Sequence, residues 1–184
     1  MKKVLLSAIF LLVSSAVFAQ KMAVSTNILG YAALGTLNAD VSYSLSQHWS
    51  IVAGVKCNPF TYRSGDPEHQ FQMRQQSYAA GVRLWPWHTL SGWWFASKLR
   101  YQEYNFGGIL SKETKEGDRA GIGLYAGYTH MLSSRFNLEF GLGMWTGADW
   151  YRKYSCTVCG LTLDYGRKAF ILPDDLAVSI VYVF

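Results

Sequence analysis

Cys156 and Cys159 are the residues whose type and spacing most directly allow chemistry, because they form a Cys-x-x-Cys-Gly sequence in a polar stretch. Two thiols at this spacing can close a disulfide across a tight turn, supply half of a zinc site or act as a redox pair. A structural zinc site requires four ligands, and the chain has no second pair of cysteines. The intervening Thr157 and Val158 indicate a turn rather than the helix start of a redox motif. We therefore predict a loop disulfide or structural thiol pair, with metal binding and redox chemistry as the alternatives.

Charged side chains on the less apolar face of strand-like segments form a second candidate set. Its members are Asp40, Lys56, Arg83, Lys98, Arg100 and Glu139. If these segments close into a small barrel, this face points into its interior. We then expect the two acids to pair with the bases and fill the lumen. The alternative is a conduit for ions or a small anion, which requires a wet lumen.

His69, with Ser64, Asp66 and Glu68 close in sequence, is the candidate for enzymatic chemistry. A base, a hydroxyl and an acid in one loop would suit acyl transfer or hydrolysis. Polar loops often contain these residue types without any chemistry, so we predict no catalytic residue, no cofactor and no metal. A lipid A-modifying hydrolase or acyltransferase stays as an alternative.

The run Trp150, Tyr151, Arg152, Lys153 and Tyr154 mixes aromatic rings with cations. Such a mixture can recruit a partner protein or an anionic saccharide at the cell surface. It can equally form an aromatic belt that contacts lipopolysaccharide phosphates. We take this run as a candidate partner-binding loop.

The N-terminal segment reads as a secretory signal. Lys2 and Lys3 precede an apolar run at 4–13, and 17–19 offers a small-residue cleavage site. We therefore expect residues 1–19 to be removed and residues 20–184 to form one domain. The run is too short for a membrane-spanning helix. Loss of its two lysines lowers the formal net charge from +5 to +3, and with no basic stripe we expect no nucleic-acid partner.

Elements that could position these residues alternate apolar with polar or tiny residues, as tilted membrane strands do. The clearest runs from Phe136 to Thr146. The predicted strands are 22–29, 37–45, 49–58, 77–85, 93–104, 120–131, 136–146 and 177–184. We predict an all-β fold, an eight-stranded antiparallel up-and-down transmembrane β-barrel.

Loop lengths and aromatic residues suggest how this barrel is oriented. The short turns are 46–48, 86–92 and 132–135, and the longer polar loops are 61–76, 105–119 and 147–173. With both termini in the periplasm, every short turn falls on the periplasmic side of an outer membrane. The expected aromatic belts comprise Trp49, Trp85, Trp87, Trp93, Phe136 and Tyr182 at that side, and Phe60, Tyr62, Tyr104, Phe106, Trp150 and Tyr151 at the outer side. The alternative is a soluble barrel with its apolar face inside.

The last strand carries a further signal, since Phe184, Tyr182 and Ile180 share one face and an aromatic residue ends the chain. Such an ending is typical of outer-membrane barrels. We predict that these residues are recognised by the barrel-insertion machinery.

Several short motifs, taken in order, resemble a domain-of-unknown-function family of small outer-membrane barrels in Gram-negative bacteria. They are Asn58-Pro59-Phe60, Leu84-Trp85-Pro86-Trp87, Tyr104-Asn105-Phe106-Gly107-Gly108, Tyr154 with Cys156-Thr157-Val158-Cys159-Gly160, and the Ile180 to Phe184 ending. The resemblance implies the barrel fold and location, supplies no catalytic residue, and links some members to fimbrial assembly genes.

The expected function is a non-enzymatic structural or surface-display scaffold whose outer loops contact a partner. A fimbria-associated assembly or anchoring factor is the alternative that the resemblance implies. The expected partners are outer-membrane lipid and lipopolysaccharide, the insertion machinery, and a surface or fimbrial protein.

Overall fold

In the computed structural model, which describes residues 21–63, 70–108, 113–156, 160–174 and 176–184, the alternating segments form antiparallel strands. The strands are β1 (Met22–Asn27), β2 (Leu37–Ser44), β3 (Trp49–Asn58), β4 (Thr61–Tyr62), β5 (Phe71–Leu84), β6 (Gly92–Gly107), β7 (Thr114–Met131), β8 (Phe136–Tyr154), β9 (Thr162–Pro173) and β10 (Ala177–Val183). A short helix, α1 (Ile28–Ala32), follows β1. The fold is therefore all-β, as predicted.

The strands pair in sequence order and then close on themselves. β10 pairs with β1, where Val24 lies opposite Tyr182, and also with β8, where Phe140 lies opposite Val178. The result is a closed ring of eight strands, β1, β2, β3, β5, β6, β7, β8 and β10. Closure gives every strand of the ring two neighbours, so their backbone groups pair within the sheet.

The sheet continues beyond the ring at one end. There β8 pairs with β9 instead of β10. β9 and β10 thus pair with successive parts of β8, and the chain between them is interrupted as a strand from Pro173 to Ala177. We call this the loop end. The opposite turn end carries both described termini and the turns at 45–48, 85–91 and 132–135.

Much of what the sequence suggested to be long loops is strand. The predicted loops at 61–76, 105–119 and 147–173 contain the outer parts of β5 to β8 and all of β9. Past Tyr101 on β6 and Ala148 on β8 both faces of the sheet carry polar side chains, so the apolar alternation that marks a strand is absent there.

The first predicted strand is also shorter than expected. β1 ends at Asn27, whose Oδ1 accepts a hydrogen bond from the Leu29 N–H at 3.1 Å and caps α1. The Asn38 side chain donates to the Asn27 carbonyl at 3.0 Å and accepts from the Asn27 N–H at 2.6 Å. These bonds turn the chain into the helix two residues before the predicted end of the strand.

The interior of the ring is mostly polar, and an apolar cluster occupies only its turn end. This cluster consists of Ala23, Trp85, Leu90, Trp94, Ala96, Val181 and Val183. Trp85 is fully buried, and its Nε1 donates to Ser50 Oγ at 2.9 Å. The expectation that Trp85 belongs to an exterior aromatic belt is therefore wrong, because the chain turns inward after β5. No helix among the described residues is long and apolar enough to cross a membrane.

Candidate functional site

Charged side chains fill the interior of the ring in layers, and the layer next to the apolar cluster is built on one ion pair. Arg83 Nη1 lies 2.8 Å from Glu139 Oε2, and each side chain is about 5% exposed. The Arg83 guanidinium also lies 4.3 Å from the ring centroid of Trp94, and Thr129 donates to Glu139 at 3.2 Å. Burial and two further partners, the Trp94 ring and the Thr129 hydroxyl, hold this pair across the ring.

The middle layer is organised by Asp174, which sits in the interruption between β9 and β10. Its carboxylate accepts from Tyr125 Oη at 2.7 Å, lies 3.4 Å from Lys56 Nζ and forms an ion pair with Arg100. Lys98 pairs separately with Asp40 at 3.7 Å. Thus Asp174 links the segment between β9 and β10 to three other strands, β3, β6 and β7.

Sequence reasoning assigned two acids, Asp40 and Glu139, to the four inward bases and missed Asp174. The structure pairs Lys56 and Arg100 with Asp174 rather than with either of those acids. Asp174 follows Pro173 in a stretch without alternation, so no local pattern marks it as inward. The excess of bases over acids was the available signal, since buried charges require partners.

A third polar layer lies at the loop end around Asp149, which is 1% exposed. Asp149 accepts from Tyr104 Oη at 2.7 Å and from Lys115 Nζ at 2.6 Å, and Arg119 Nε lies 3.4 Å away. The Arg119 guanidinium stacks 3.9 Å from the Tyr104 ring centroid. Tyr104 was expected in the outer belt, but it points inward and is 4% exposed, so that expectation is wrong.

The outer face of the ring is apolar. Exposed fractions reach 69% for Leu124, 68% for Leu99 and 62% for Leu142. The exposed apolar side chains on this face also include Val41, Ile51, Val55, Val82, Phe95, Ile122, Phe140, Met144 and Ile180. Their continuity around the ring forms an apolar band far larger than the isolated patches usual on soluble proteins.

Tyrosine hydroxyls mark where this band ends toward the loop end. Tyr78 and Tyr101 lie opposite each other on β5 and β6. The Tyr101 hydroxyl donates to Asp118 Oδ1 at 3.0 Å and lies 3.2 Å from Glu103 Oε1. Aromatic rings on the apolar side and hydroxyls on the polar side give a sharp boundary.

A cleft of about 830 Å³ lies beyond this boundary, on the outer face of the protruding sheet. Two cross-strand rows supply most of its side chains. The first row contains Gln76, Glu103, Asp118 and Trp150, and the second contains Arg74, Asn105, Glu116, Arg152 and Tyr165.

Hydrogen bonds fix the far wall of the cleft. Gln72 Nε2 donates to Asn105 Oδ1 at 2.6 Å, and Asn105 Nδ2 donates to Glu116 Oε2 at 3.2 Å. Tyr154 Oη donates to the other Glu116 oxygen at 2.5 Å, and this bond raises the pKa of the Tyr154 hydroxyl above its ordinary value. The amide of Asn105 and the carboxylate of Glu116 are therefore held in one orientation.

The predicted partner-binding loop is part of β8 and not a loop. Trp150, Arg152 and Tyr154 lie on the outer face, where the Arg167 guanidinium stacks 5.1 Å from the Trp150 ring centroid. Tyr151 and Lys153 alternate to the inner face, and Tyr151 Oη donates to Asp164 at 3.0 Å. Period two divides the five residues between two surfaces.

Of the cysteines, Cys156 is disulfide-bonded and Cys57 is free and exposed on the outer face. Cys159 lies outside the described residues, so the pairing of Cys156 with Cys159 stays a prediction. Ser64, Asp66, Glu68 and His69 also lie outside them. The described part of the chain contains no group of three His, Cys, Asp or Glu side chains arranged to hold a metal.

The terminal aromatics lie together at the turn end. The Tyr182 ring centroid is 5.1 Å from that of Phe136 and 4.9 Å from that of Phe184. Ile180 lies on the same strand with 44% of its surface exposed, and Phe184 is 52% exposed. Ile180 and Phe184 are thus accessible from outside the ring, and Tyr182 is partly accessible.

Comparison with known proteins assigns the family. A family model described as a protein of unknown function, DUF3575, matches residues 4–184, so the chain belongs to this family. No curated protein and no solved structure gave a significant match. The predicted resemblance to a family of unknown function is confirmed, whereas the outer-membrane location and the fimbrial link stay predictions.

Proposed function

We propose that this protein is a non-enzymatic outer-membrane β-barrel that serves as a scaffold, with the protruding sheet presented outside the cell. The observation that carries this proposal is the reversed polarity of the ring, because its ion pairs lie inside and strand leucines such as Leu99, Leu124 and Leu142 face outward. A soluble barrel of this size would expose the apolar band to water at a large free-energy cost. Lipid removes that cost.

The height of the apolar band supports the same proposal. On β8 the band extends from Phe136 to Ala148, about 12 residue steps, or roughly 40 Å along a strand at about 3.3 Å per residue. A strand tilted by about 40° would span roughly 30 Å in the membrane normal. This matches the hydrocarbon thickness of a bilayer, about 30 Å.

The filled interior favours a scaffold over a conduit. The apolar cluster around Trp85 occupies the turn end, and the layers around Glu139, Asp174 and Asp149 follow it toward the loop end. An ion crossing the ring would have to displace paired charges held by several partners. We therefore assign function to the exterior surfaces.

In this proposal the turn end, with both termini, faces the periplasm and residues 1–19 act as the signal. The exposed aromatic residues Trp49, Trp93 and Phe136 lie at the turn end, as an interfacial belt requires. The loop end then contacts lipopolysaccharide and a surface or fimbrial protein, and the terminal strand contacts the insertion machinery.

The alternatives rest on less. The fimbrial assembly role comes from the resemblance alone. The lipid A-modifying enzyme depends on His69 and its neighbours, which lie outside the described residues. Deletion would separate the roles: unchanged surface fimbriae would remove the assembly role, and an unchanged lipid A profile would remove the enzyme.

Electrophoresis of the membrane-fraction protein, unheated and boiled, tests the barrel. A closed membrane barrel stays folded in mild detergent, so we expect two mobilities that merge after boiling. A single mobility together with recovery in the soluble fraction would contradict the proposal.

A further inference from the structure

The outer-face cleft at the loop end has the chemistry of a saccharide site. The geometry points to binding of neutral sugar units by the cleft between Trp150, Tyr165 and Glu116. This inference rests on the proposed function, because that function places the cleft beside the polar surface of the membrane.

Two aromatic faces are available in the cleft. Trp150 is 42% exposed and Tyr165 is 77% exposed, although both belong to a regular strand pair. Arg167 stacks against Trp150 and fixes the indole plane. Sugar rings present C–H bonds with partial positive charge, which pack against the negative face of an aromatic ring. The aromatic residues thus provide a platform for hexose rings.

The polar side chains supply acceptors and donors together. Glu103, Asp118 and Glu116 are acceptors, and each is oriented by a tyrosine hydroxyl or an amide. Arg74 and Arg152 on the same surface are donors. A sugar hydroxyl both donates and accepts, so a wall that mixes fixed acceptors with donors suits vicinal hydroxyl groups.

The charge of the cleft argues against a phosphate ligand. Among the lining side chains the three carboxylates of Glu103, Glu116 and Asp118 outnumber the two guanidinium groups of Arg74 and Arg152, while the third guanidinium nearby, that of Arg167, packs on Trp150. A phosphate placed here would meet repulsion from the carboxylates in a partly desolvated site. The volume, about 830 Å³, falls within the usual range of small-molecule sites, roughly 300–1,000 Å³. Several linked hexoses therefore fit better than one anion.

Two sources could present such sugars. They are the core hexoses of lipopolysaccharide in the same membrane and soluble oligosaccharides from outside. Both offer the same hydroxyl-rich rings, and only the first is tethered to lipid. Titration calorimetry of the detergent-solubilised protein would use maltotetraose, cellotetraose, mannotetraose and chitotetraose, then lipopolysaccharide with a complete core, lipid A and inorganic phosphate.

We expect binding of a neutral tetrasaccharide, of complete-core lipopolysaccharide, or of both, with no comparable binding of lipid A or phosphate. Trp150→Ala should weaken this binding about tenfold or more, because it removes the stacking platform. Glu116→Gln should weaken it about fivefold, since an amide replaces one acceptor. Trp87→Ala, which removes an indole at the turn end that is more exposed than Trp150, should change the affinity less than about twofold.

Each contrary outcome overturns the inference. The first is that none of the sugar probes binds. The second is that lipid A or phosphate binds as tightly as complete lipopolysaccharide. The third is that Trp150→Ala and the wild type bind with equal affinity. Flat sugar titrations with capture of a surface protein through Trp150 would instead make the cleft a protein-docking site. The protein used in the titrations must first show different gel mobilities before and after boiling. An absence of sugar binding would then count against the saccharide site and not against the barrel.

Discussion

The inner and outer faces of the ring are built on the same strands but differ in polarity, with paired charges inside and apolar side chains outside. On β6, Arg100 points inward to an ion pair with Asp174, while its neighbour Leu99 is 68% exposed. Inside, a buried charge needs a partner because burial removes it from water. Outside, the side chains of the band need only be apolar. The comparison teaches that stability of the ring depends on specific pairs inside and on general polarity outside.

The largest expected effect comes from breaking an inner pair. Glu139→Ala leaves Arg83 buried without its carboxylate and should lower the free energy of unfolding by about 3–5 kcal/mol. Urea unfolding in detergent, followed by gel mobility, measures the change. Glu103→Ala, on the outer face beyond the band, is the matched control and should cost less than about 1 kcal/mol.

Replacing both partners sharpens this test. Arg83→Met combined with Glu139→Leu removes the unpaired charge and should recover most of the loss. If the single and double variants were equally unstable, packing rather than the unpaired charge would be the cause.

A charge on the apolar band should have the next largest effect. Leu99→Arg faces lipid in our account and should destabilise the folded protein by about 2–4 kcal/mol. Glu103→Arg, four residues along the same face but beyond the Tyr101 boundary, should cost less than about 1 kcal/mol. Refolding into lipid vesicles measures both, and equal costs would contradict a boundary at Tyr101.

Glycine positions test how tightly the interior is packed. A Cβ at Gly143 would overlap the Tyr125 ring, whereas no atom of the described residues lies within 4 Å of a Cβ at Gly160. We expect Gly143→Ala to cost about 1–3 kcal/mol, because the Tyr125 ring must move away from Asp174. Gly160→Ala should be near neutral in the same unfolding experiment.

The terminal residue should affect assembly more than stability. Phe184 is half exposed, so Phe184→Ser should change the unfolding free energy of the assembled protein by less than about 1 kcal/mol. We nevertheless expect less assembled protein, since recognition during insertion is weakened. Leu132→Ser, at an exposed turn of the same end, is the control. Wild-type levels of Phe184→Ser in the membrane fraction would count against the insertion role.

The sequence predicts the ring well where one face is apolar. Its strands were anticipated from period-two alternation, and Arg83, Lys98 and Glu139 were assigned to the inward face by the same parity. Alternation reports polarity on two faces, so it works only where those faces differ.

Where the faces are alike, the sequence fails. The outer part of β8 carries aromatic and charged residues on both faces, which made 147–154 resemble a loop. Asp174 was missed for a related reason, because its inward position depends on β10 joining β1 far away in sequence. The cleft likewise requires the paired rows of five strands, and no single segment predicts it.

Spin labelling along β6 would test the reversed polarity most directly. In a Cys57→Ser background, residues from Phe95 to Tyr101 would be replaced one at a time by cysteine, labelled with a nitroxide and studied in lipid vesicles. Our account predicts high oxygen and low nickel-chelate accessibility at 95, 97 and 99, and low accessibility to both reagents at 96, 98 and 100. High nickel-chelate accessibility at 95, 97 and 99, as for a face in water, would contradict it.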